Sequence, residues 1–115
     1  RNKLSGPLPA SINRLTNLTH LYITSNQFSG EFPDIPNLQK LTWIEMEFNR
    51  FTGEFPPVFS LLPKLSILKV KYNNFDPNTC VPARFGGWKL SLYINPQRAT
   101  HADAKTDYNL RDCTE

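Results

Sequence analysis

The sequence predicts a repeat solenoid, an α/β-type coil in which each turn of the chain carries a short strand and successive strands lie side by side. Two observations predict this fold. A turn block rich in Asn, Gly and Pro recurs at nearly equal intervals, beginning at Asn2, Asn26 and Asn49, and an apolar pattern with a similar period stands between the blocks. Ten prolines among 115 residues also oppose a helical bundle, because proline ends helices. A chain of this length is expected to form one domain.

The turn block is the first element of each repeat. Its Asn, Gly and Pro keep the same spacing in three copies, with an apolar residue two positions before the Gly and another two positions after it. The copies are Asn2, Leu4, Ser5, Gly6, Leu8, Pro9; Asn26, Phe28, Ser29, Gly30, Phe32, Pro33; and Asn49, Phe51, Thr52, Gly53, Phe55, Pro56. A fourth copy starts at Asn73 and Phe75, but Pro77 occupies the Gly position and the register is lost.

The apolar pattern is the second element, and it reads L-x-x-L-x-x-L-x-L. Its last two apolar positions are Leu21 and Ile23, then Ile44 and Met46, then Leu68 and Val70. This alternation predicts a short strand in which every second side chain points into a core. The Asn three positions later is expected to hydrogen-bond the backbone of the turn.

Together these residues resemble the leucine-rich repeat family and its plant-type subclass, whose repeat reads approximately L-x-x-L-x-x-L-x-L-x-x-N-x-L-x-G-x-I-P. The resemblance covers residues 1–76. It implies a right-handed coil of about three and a half repeats, with short parallel strands on a concave face and a second short strand on the other side. Phe28, Phe32, Phe51 and Phe55 stand where the family has Leu or Ile, so stacked rings are expected in the core.

The tail, residues 77–115, departs from the repeat and is expected to form an atypical last coil and a polar C-terminal cap. Leu90 to Asn95 reproduces L-x-L-x-x-N once and predicts a last strand. The resemblance implies that a disulfide between Cys80 and Cys113 closes the cap, although two reduced, buried thiols remain the alternative. Neither cysteine has a His or Cys beside it, so no metal site is expected.

Charge and location follow from composition and one motif. The net charge of +3 comes from scattered residues with no basic run, and no apolar stretch approaches the roughly 18 residues of a membrane span. We therefore expect neither nucleic-acid binding nor a membrane span in this chain. The chain begins at Arg1 without a leader, so we expect a removed signal or a longer parent protein. Asn17 starts an N-x-T glycosylation motif, which together with the resemblance and the disulfide predicts an extracellular or cell-surface location.

Catalysis is not expected. The two histidines, His20 and His101, lie in no motif that pairs a base with a nucleophile, and no Gly-rich phosphate loop occurs. Glu45 and Glu47 point the same way from one strand, but a solvated strand face would not desolvate either carboxylate for acid or base work. No cofactor is expected.

A binding face is predicted instead from the residues that alternate with the inward apolar positions. Tyr22, Glu45 and Lys69 would form one row across neighbouring strands, and Thr24, Glu47 and Lys71 another. Trp43 is predicted to be solvent-exposed and to serve as the main anchor, because an exposed Trp gains little unless a ligand covers it. The charged pairs are equally compatible with ordinary surface neighbours. The predicted ligand-binding residues are His20, Tyr22, Thr24, Trp43, Glu45, Glu47, Lys69, Lys71 and Tyr93; Ile67 also points outward.

The predicted function is therefore noncatalytic recognition of a peptide, protein or glycan on the concave face. The resemblance implies roles such as a receptor ectodomain or a secreted inhibitor. The alternative is a structural or self-assembling extracellular protein, since Leu4, Leu8 and Ile12 would form an uncovered N-terminal edge for self-association.

Overall fold

The computed structural model describes residues 4–76, 78–81, 91–93, 97 and 110–112. Within them the chain forms short strands and two 3₁₀ helices, with no element longer than five residues. The 3₁₀ helices span Ala10–Arg14 and Pro57–Leu61. The strands are β1 Ser5–Pro7, β2 His20–Tyr22, β3 Gln27–Glu31, β4 Trp43–Glu45, β5 Arg50–Thr52, β6 Ile67–Lys69, β7 Cys80–Val81, β8 Ser91–Tyr93 and β9 Arg111–Asp112.

The strands assemble into parallel sheets that follow the repeat. The order β2-β4-β6-β8 forms a four-stranded sheet, and β1-β3-β5 forms a second sheet from the turn blocks. Leu21 pairs with Ile44, Ile44 with Leu68 and Leu68 with Leu92, so the apolar positions of successive coils lie in one column. These sheets confirm the predicted solenoid with parallel strands, together with the second strand that the resemblance implied.

The core holds the inward residues of the apolar pattern and the aromatic residues of the turn blocks. Ile44, Met46, Leu68 and Val70 have no exposed surface. The Phe residues that replace the family's Leu or Ile are all buried, and the ring of each packs against that of another buried Phe. Their rings lie 6.2 Å apart for Phe28 and Phe51, 5.4 Å for Phe32 and Phe51, and 5.9 Å for Phe55 and Phe75. The predicted core of packed rings is thus present.

A column of side-chain amides joins the coils. The Oδ1 atom of Asn49 accepts a hydrogen bond from the backbone N–H of Phe28 at 3.2 Å, and its amide donates to the carbonyls of Ile23 at 2.8 Å and Met46 at 3.1 Å. Asn73 repeats the arrangement one coil later, accepting from the N–H of Phe51 at 3.2 Å. Each amide therefore satisfies buried backbone groups of two successive coils, which is the structural role predicted for the recurring Asn.

The last coil has a different register from the one predicted. Its strand was placed correctly, but the pairing of Leu68 with Leu92 puts Leu92, not Leu90, at the first inward position. The buried Gln97 then takes the Asn role one repeat after Asn73. Its Oε1 accepts from the N–H of Phe75 at 3.3 Å, and its Nε2 donates to the carbonyl of Val70 at 3.2 Å. Glutamine carries the same amide on a longer side chain, so it can reach the same partners.

The N-terminal edge is less open than predicted. Leu4 is 55% exposed, but Leu8 is buried at 8% and Ile12 is half-buried, because both pack against the apolar core. Of the three residues predicted to form an uncovered N-terminal edge, only Leu4 is exposed. Leu15, which was not part of that prediction, is also exposed.

The C-terminal cap is described only in part. Strand β7 pairs in parallel with β9, in a register that places Cys80 opposite Arg111 and Val81 opposite Asp112. Cys113 lies outside the described residues, so its disulfide with Cys80 stays a prediction, as does the division into repeats at 1–76 and a cap at 77–115.

Candidate functional site

The candidate site is the outward side of the four-stranded sheet. We call the outward side chains of residues 20–24, 43–47 and 67–71 the ladder face. Tyr22 pairs in register with Glu45 and Glu45 with Lys69, which confirms the geometry predicted for this row. The backbone ladder continues past the strand ends, where the N–H of Ser25 donates to the carbonyl of Glu47 at 2.9 Å. The rows therefore extend beyond the strands themselves in each coil.

Three aromatic side chains meet at the first two strands of the ladder face. The rings of His20 and Trp43 stack with their centroids 6.0 Å apart, and Tyr22 lies 5.7 Å from His20 and 6.4 Å from Trp43. Trp43 is half-buried, which corrects the prediction of a solvent-exposed Trp. Its neighbours on β2 cover part of the ring. Tyr22 is 59% exposed and His20 is also exposed, so both are more accessible than Trp43.

Glu45 connects this aromatic cluster to the charged part of the face. The Nε1–H of Trp43 donates to Glu45 Oε2 at 2.6 Å, and Lys69 Nζ lies 3.9 Å from the same oxygen. Lys69 Nζ is also 5.9 Å from the Trp43 ring centroid, within reach of a cation–π interaction. Because both ionised groups are partly exposed, the ion pair contributes at most about 1 kcal/mol to stability. The indole is oriented by its N–H bond to Glu45.

The second row, Thr24, Glu47 and Lys71, lies two residues further along the chain in each coil than the row of Tyr22, Glu45 and Lys69. Burial raises the pKa of Glu47 above its ordinary value of 4.5, against the opposing effects of Lys69 and Lys71. The Oγ1 atom of Thr24 is buried without a hydrogen-bond partner, so this hydroxyl is not accessible to a ligand. The accessible chemistry of the row is thus charged.

A stacked pair that sequence reasoning missed extends this end of the face. The rings of Phe48 and Tyr72 lie 4.7 Å apart and 10° from parallel, and Phe48 is 41% exposed. Ser25, Phe48 and Tyr72 all have φ of 60°, a left-handed conformation uncommon for bulky residues. A signal existed in the sequence, because each of these residues immediately precedes a recurring Asn, and two of the three are aromatic.

The remaining predicted positions are placed as follows. Tyr93 pairs in register with Lys69, which puts it in the row of Tyr22 and Glu45; its side chain lies outside the described residues. Asn17 is exposed, and its Oδ1 accepts from Lys40 Nζ at 3.1 Å. His101 lies outside the described residues.

Across residues 4–76 and the shorter described segments after them, no group of three or more His, Cys, Asp or Glu is arranged to hold a metal ion. In that same part of the chain, no helix has the length and apolar character that crossing a membrane requires.

Residues 17–38 and 40–62, which cover two of the coils, match the Leucine Rich Repeat family model. Comparison with curated protein sequences found no match. Solved structures do resemble the chain. One is the leucine-rich repeat ectodomain of the Arabidopsis thaliana membrane receptor kinase GASSHO1/SCHENGEN3, crystallised with CASPARIAN STRIP INTEGRITY FACTOR 2. It is 33% identical over 65% of this chain, with a TM-score of 0.63.

Two further Arabidopsis structures are similar. A chain of the receptor kinase HAESA complex with the peptide hormone IDA and the co-receptor SERK1 is 30% identical over 84% of this chain, with a TM-score of 0.70. A chain of the BIR3–SERK2 complex covers 99% of this chain at 24% identity and a TM-score of 0.66, which supports the fold alone.

The chain spans only 9%, 16% and 57% of the lengths of these three structures. The likeness therefore concerns a few coils and not a whole receptor. The parallel sheets, the amide column, the matched family model and the plant receptor ectodomains among its structural neighbours lead to one conclusion. The chain belongs to the leucine-rich repeat family, and its repeats are of the plant type.

Proposed function

We propose that this chain is a noncatalytic recognition module that binds a peptide or protein partner on its ladder face, outside the cell. The observation that carries the proposal is the juxtaposition of the accessible ring of Tyr22 with the charged pair of Glu45 and Lys69 in one registered row. Aromatic anchors beside oriented charges are typical of the side chains that dominate protein-binding energy.

The ladder face suits an extended ligand. Its rows repeat at the strand spacing of about 4.8 Å, so consecutive groups of a bound chain could contact successive coils. Aromatic contacts lie toward β2, and the lysines lie toward β6. The structural neighbours support a peptide or protein ligand, because their crystals contain a peptide hormone, an integrity factor and a co-receptor. A glycan that stacks on Tyr22 is the competing ligand class.

The extracellular part of the proposal rests on two features. The side chain of Asn17 in the N-x-T motif is exposed, so it is accessible to a glycosylating enzyme. Strands β7 and β9 pair side by side, and Cys80 lies in the first while Cys113 directly follows the second, so the two segments are near enough to support the predicted disulfide. Both modifications belong to the secretory pathway.

The test begins with selection of ligands by the whole chain. A random peptide display library and a glycan array are both screened, and the best binder is titrated against Tyr22→Ala and Leu61→Ala. Leu61 is 72% exposed and lies outside the ladder face, so it is a matched control for loss of an exposed apolar side chain. We expect a peptide binder whose affinity falls at least about tenfold in Tyr22→Ala and is unchanged in Leu61→Ala.

Each other outcome contradicts part of the proposal. Equal losses in the two variants would place the ligand away from the ladder face. If the screens yield a glycan binder and no peptide binder, the ligand would be a glycan and not a peptide or protein. A parallel titration of Trp43→Phe distinguishes two contributions of Trp43 to ligand binding. Phe keeps an aromatic ring that the ligand can contact, but it removes the hydrogen bond that Trp43 donates to Glu45.

Self-association is the second candidate, favoured by the exposed Leu4 and by Asn26, whose Oδ1 is buried without a hydrogen-bond partner at the first coil. The equivalent oxygens of Asn49 and Asn73 each bond the preceding coil. Sedimentation over a range of concentrations tests this candidate. A dimer that Leu4→Ser dissociates would support it, and a monomer throughout would oppose it.

A further inference from the structure

A pocket of about 370 Å³ lies away from the ladder face, between the turn blocks of two successive coils. Its volume falls at the lower end of the roughly 300–1,000 Å³ of small-ligand sites. The tripeptide Glu-Phe-Pro occurs once in each block, at 31–33 and 54–56. The pocket therefore arises because two copies of one tripeptide stand side by side in neighbouring coils.

The walls of the pocket are apolar and fixed by the core. Phe32, Pro56 and Val58 line it and are buried. The ring of Phe32 packs against Phe51 and Phe59 at 5.4 and 5.1 Å, which holds its position. These side chains give the pocket a preformed surface that does not depend on mobile loops or on a bound partner.

The rim of the pocket is acidic. Glu31, Asp34 and Glu54 line it, and no basic residue does, although the chain carries a net charge of +3. Glu31 lies over Gly53, where its Cγ would stand 2.8 Å from an added Cβ, so the absence of a side chain at this glycine leaves room for the Glu31 side chain. Within the described part of the chain, none of the three carboxylates has an ion-pair or side-chain hydrogen-bond partner.

This combination selects the chemistry of a ligand. Carboxylates of one sign above low-dielectric walls focus an electrostatic potential that attracts a cation. An arginine side chain satisfies both parts of the pocket, because its apolar stem packs on proline and aromatic surfaces while its planar guanidinium bonds carboxylates with two N–H groups. A lysine ammonium satisfies the rim but gains less from the flat walls.

We propose that this pocket is a second binding site, which takes the arginine side chain of a protein partner. It is independent of the ladder face, so the two proposals can fail separately. The partner's arginine enters between Glu31 and Glu54, with its stem against Pro56 and Val58 and with Asp34 completing the acidic rim.

The test uses the uniformly ¹⁵N-labelled whole chain and N-acetyl-arginine amide as the probe, with amide chemical shifts as the readout. The neutral isostere N-acetyl-citrulline amide controls for shape, and spermidine represents a free polyamine. We expect saturable shifts at the non-proline amides of residues 31–34 and 54–58, with an affinity around the millimolar level for so small a probe. The citrulline probe should bind at least about fivefold more weakly, because it lacks the charge.

Variants locate the effect. Glu31→Gln with Glu54→Gln should weaken the arginine probe by about tenfold, and Glu54→Gln alone by about two- to fivefold. Asp76→Asn removes the same charge from a described residue that does not line the pocket, and should leave binding unchanged. Equal binding of arginine and citrulline, or equal effects of Asp76→Asn and Glu54→Gln, would overturn the proposal. Tighter binding of spermidine than of the arginine probe at this pocket would overturn the assignment to a protein side chain.

Discussion

Replacing Asn49 by Ala tests whether the amide column holds the coils together. The side chain is 1% exposed and contacts four backbone groups, three of them within 3.2 Å: the N–H of Phe28 and the carbonyls of Ile23 and Met46. The fourth, the carbonyl of Glu47, is at 3.4 Å. The substitution removes these bonds and takes away the acceptor of the Phe28 N–H, whereas the carbonyls of Ile23 and Met46 still accept from the side chains of Asn26 and Asn73.

The expected loss follows from the number of bonds. Each of the three shorter bonds contributes about 1 kcal/mol net, and a buried backbone group left unpaired costs about 1–3 kcal/mol. We therefore expect Asn49→Ala to lower the free energy of unfolding by about 3 kcal/mol. This is a large fraction of the roughly 5–15 kcal/mol typical of a folded domain.

Equilibrium urea denaturation followed by circular dichroism is the assay. If the free energy of unfolding falls by about 1.5 kcal/mol per molar urea, the midpoint of the unfolding transition should fall by about 2 M. Two further variants grade the effect. Asn26→Ala removes only two backbone bonds, at 3.0 and 3.3 Å, and should lose about 1 kcal/mol. Asn37 is exposed, so Asn37→Ala should change stability by less than about 0.5 kcal/mol.

The ranking decides the question more firmly than any single value. If Asn49→Ala and Asn26→Ala lost the same free energy, the bonds from Asn49 to the preceding coil would contribute nothing. If Asn49→Ala behaved like Asn37→Ala, water would be replacing the amide, and the column would have no role in stability.

Two further predictions concern single residues. Because burial raises the pKa of Glu47, the folded state binds a proton more readily than the unfolded state, so stability should fall as the pH rises from below 4.5 through the raised pKa. Glu47→Gln should remove this contribution to the pH dependence, measured as the difference between the free energies of unfolding in urea at pH 4 and at pH 7. If that difference were the same in Glu47→Gln as in the unmodified chain, the carboxyl would not be desolvated. Gly53→Ala and Gly6→Ala should each lose about 1–2 kcal/mol in thermal unfolding, since both glycines have φ above 80°. The loss should be larger at Gly53, where the added Cβ meets Glu31 at 2.8 Å, than at Gly6, where nothing lies within 4 Å; the reverse order would contradict the contact.

The inward residues and the recurring Asn were predictable because each depends on a repeated local pattern. Ile44, Met46 and Asn49 occupy the same positions of the repeat as Leu68, Val70 and Asn73, and all six are buried. A nearly constant period brings equivalent residues of successive coils side by side, so burial at one coil implies burial at the next. The row of Tyr22, Glu45 and Lys69 follows from the same argument.

The register of the last coil was not predictable from the alternation alone. Leu90 and Leu92 both fit an inward position, and a shift by two residues keeps the same side chains on the same face of a strand. Only the pairing of Leu68 with Leu92 and the contacts of Gln97 distinguish the two registers. The amide function had moved to a different residue type, which an Asn-based pattern does not detect.

The sequence by itself determined the solenoid, the parallel strands, the phenylalanine core and the identity of the outward rows, because these depend on spacing along the chain. Tertiary structure alone decided how exposed the outward residues are. Trp43 became half-buried through His20, Tyr22 and Glu45, and the paired Glu-Phe-Pro segments formed an acidic pocket. The physical reason is that exposure and charge environment are set largely by side chains of neighbouring coils, a full repeat away along the chain, whose directions no local pattern specifies.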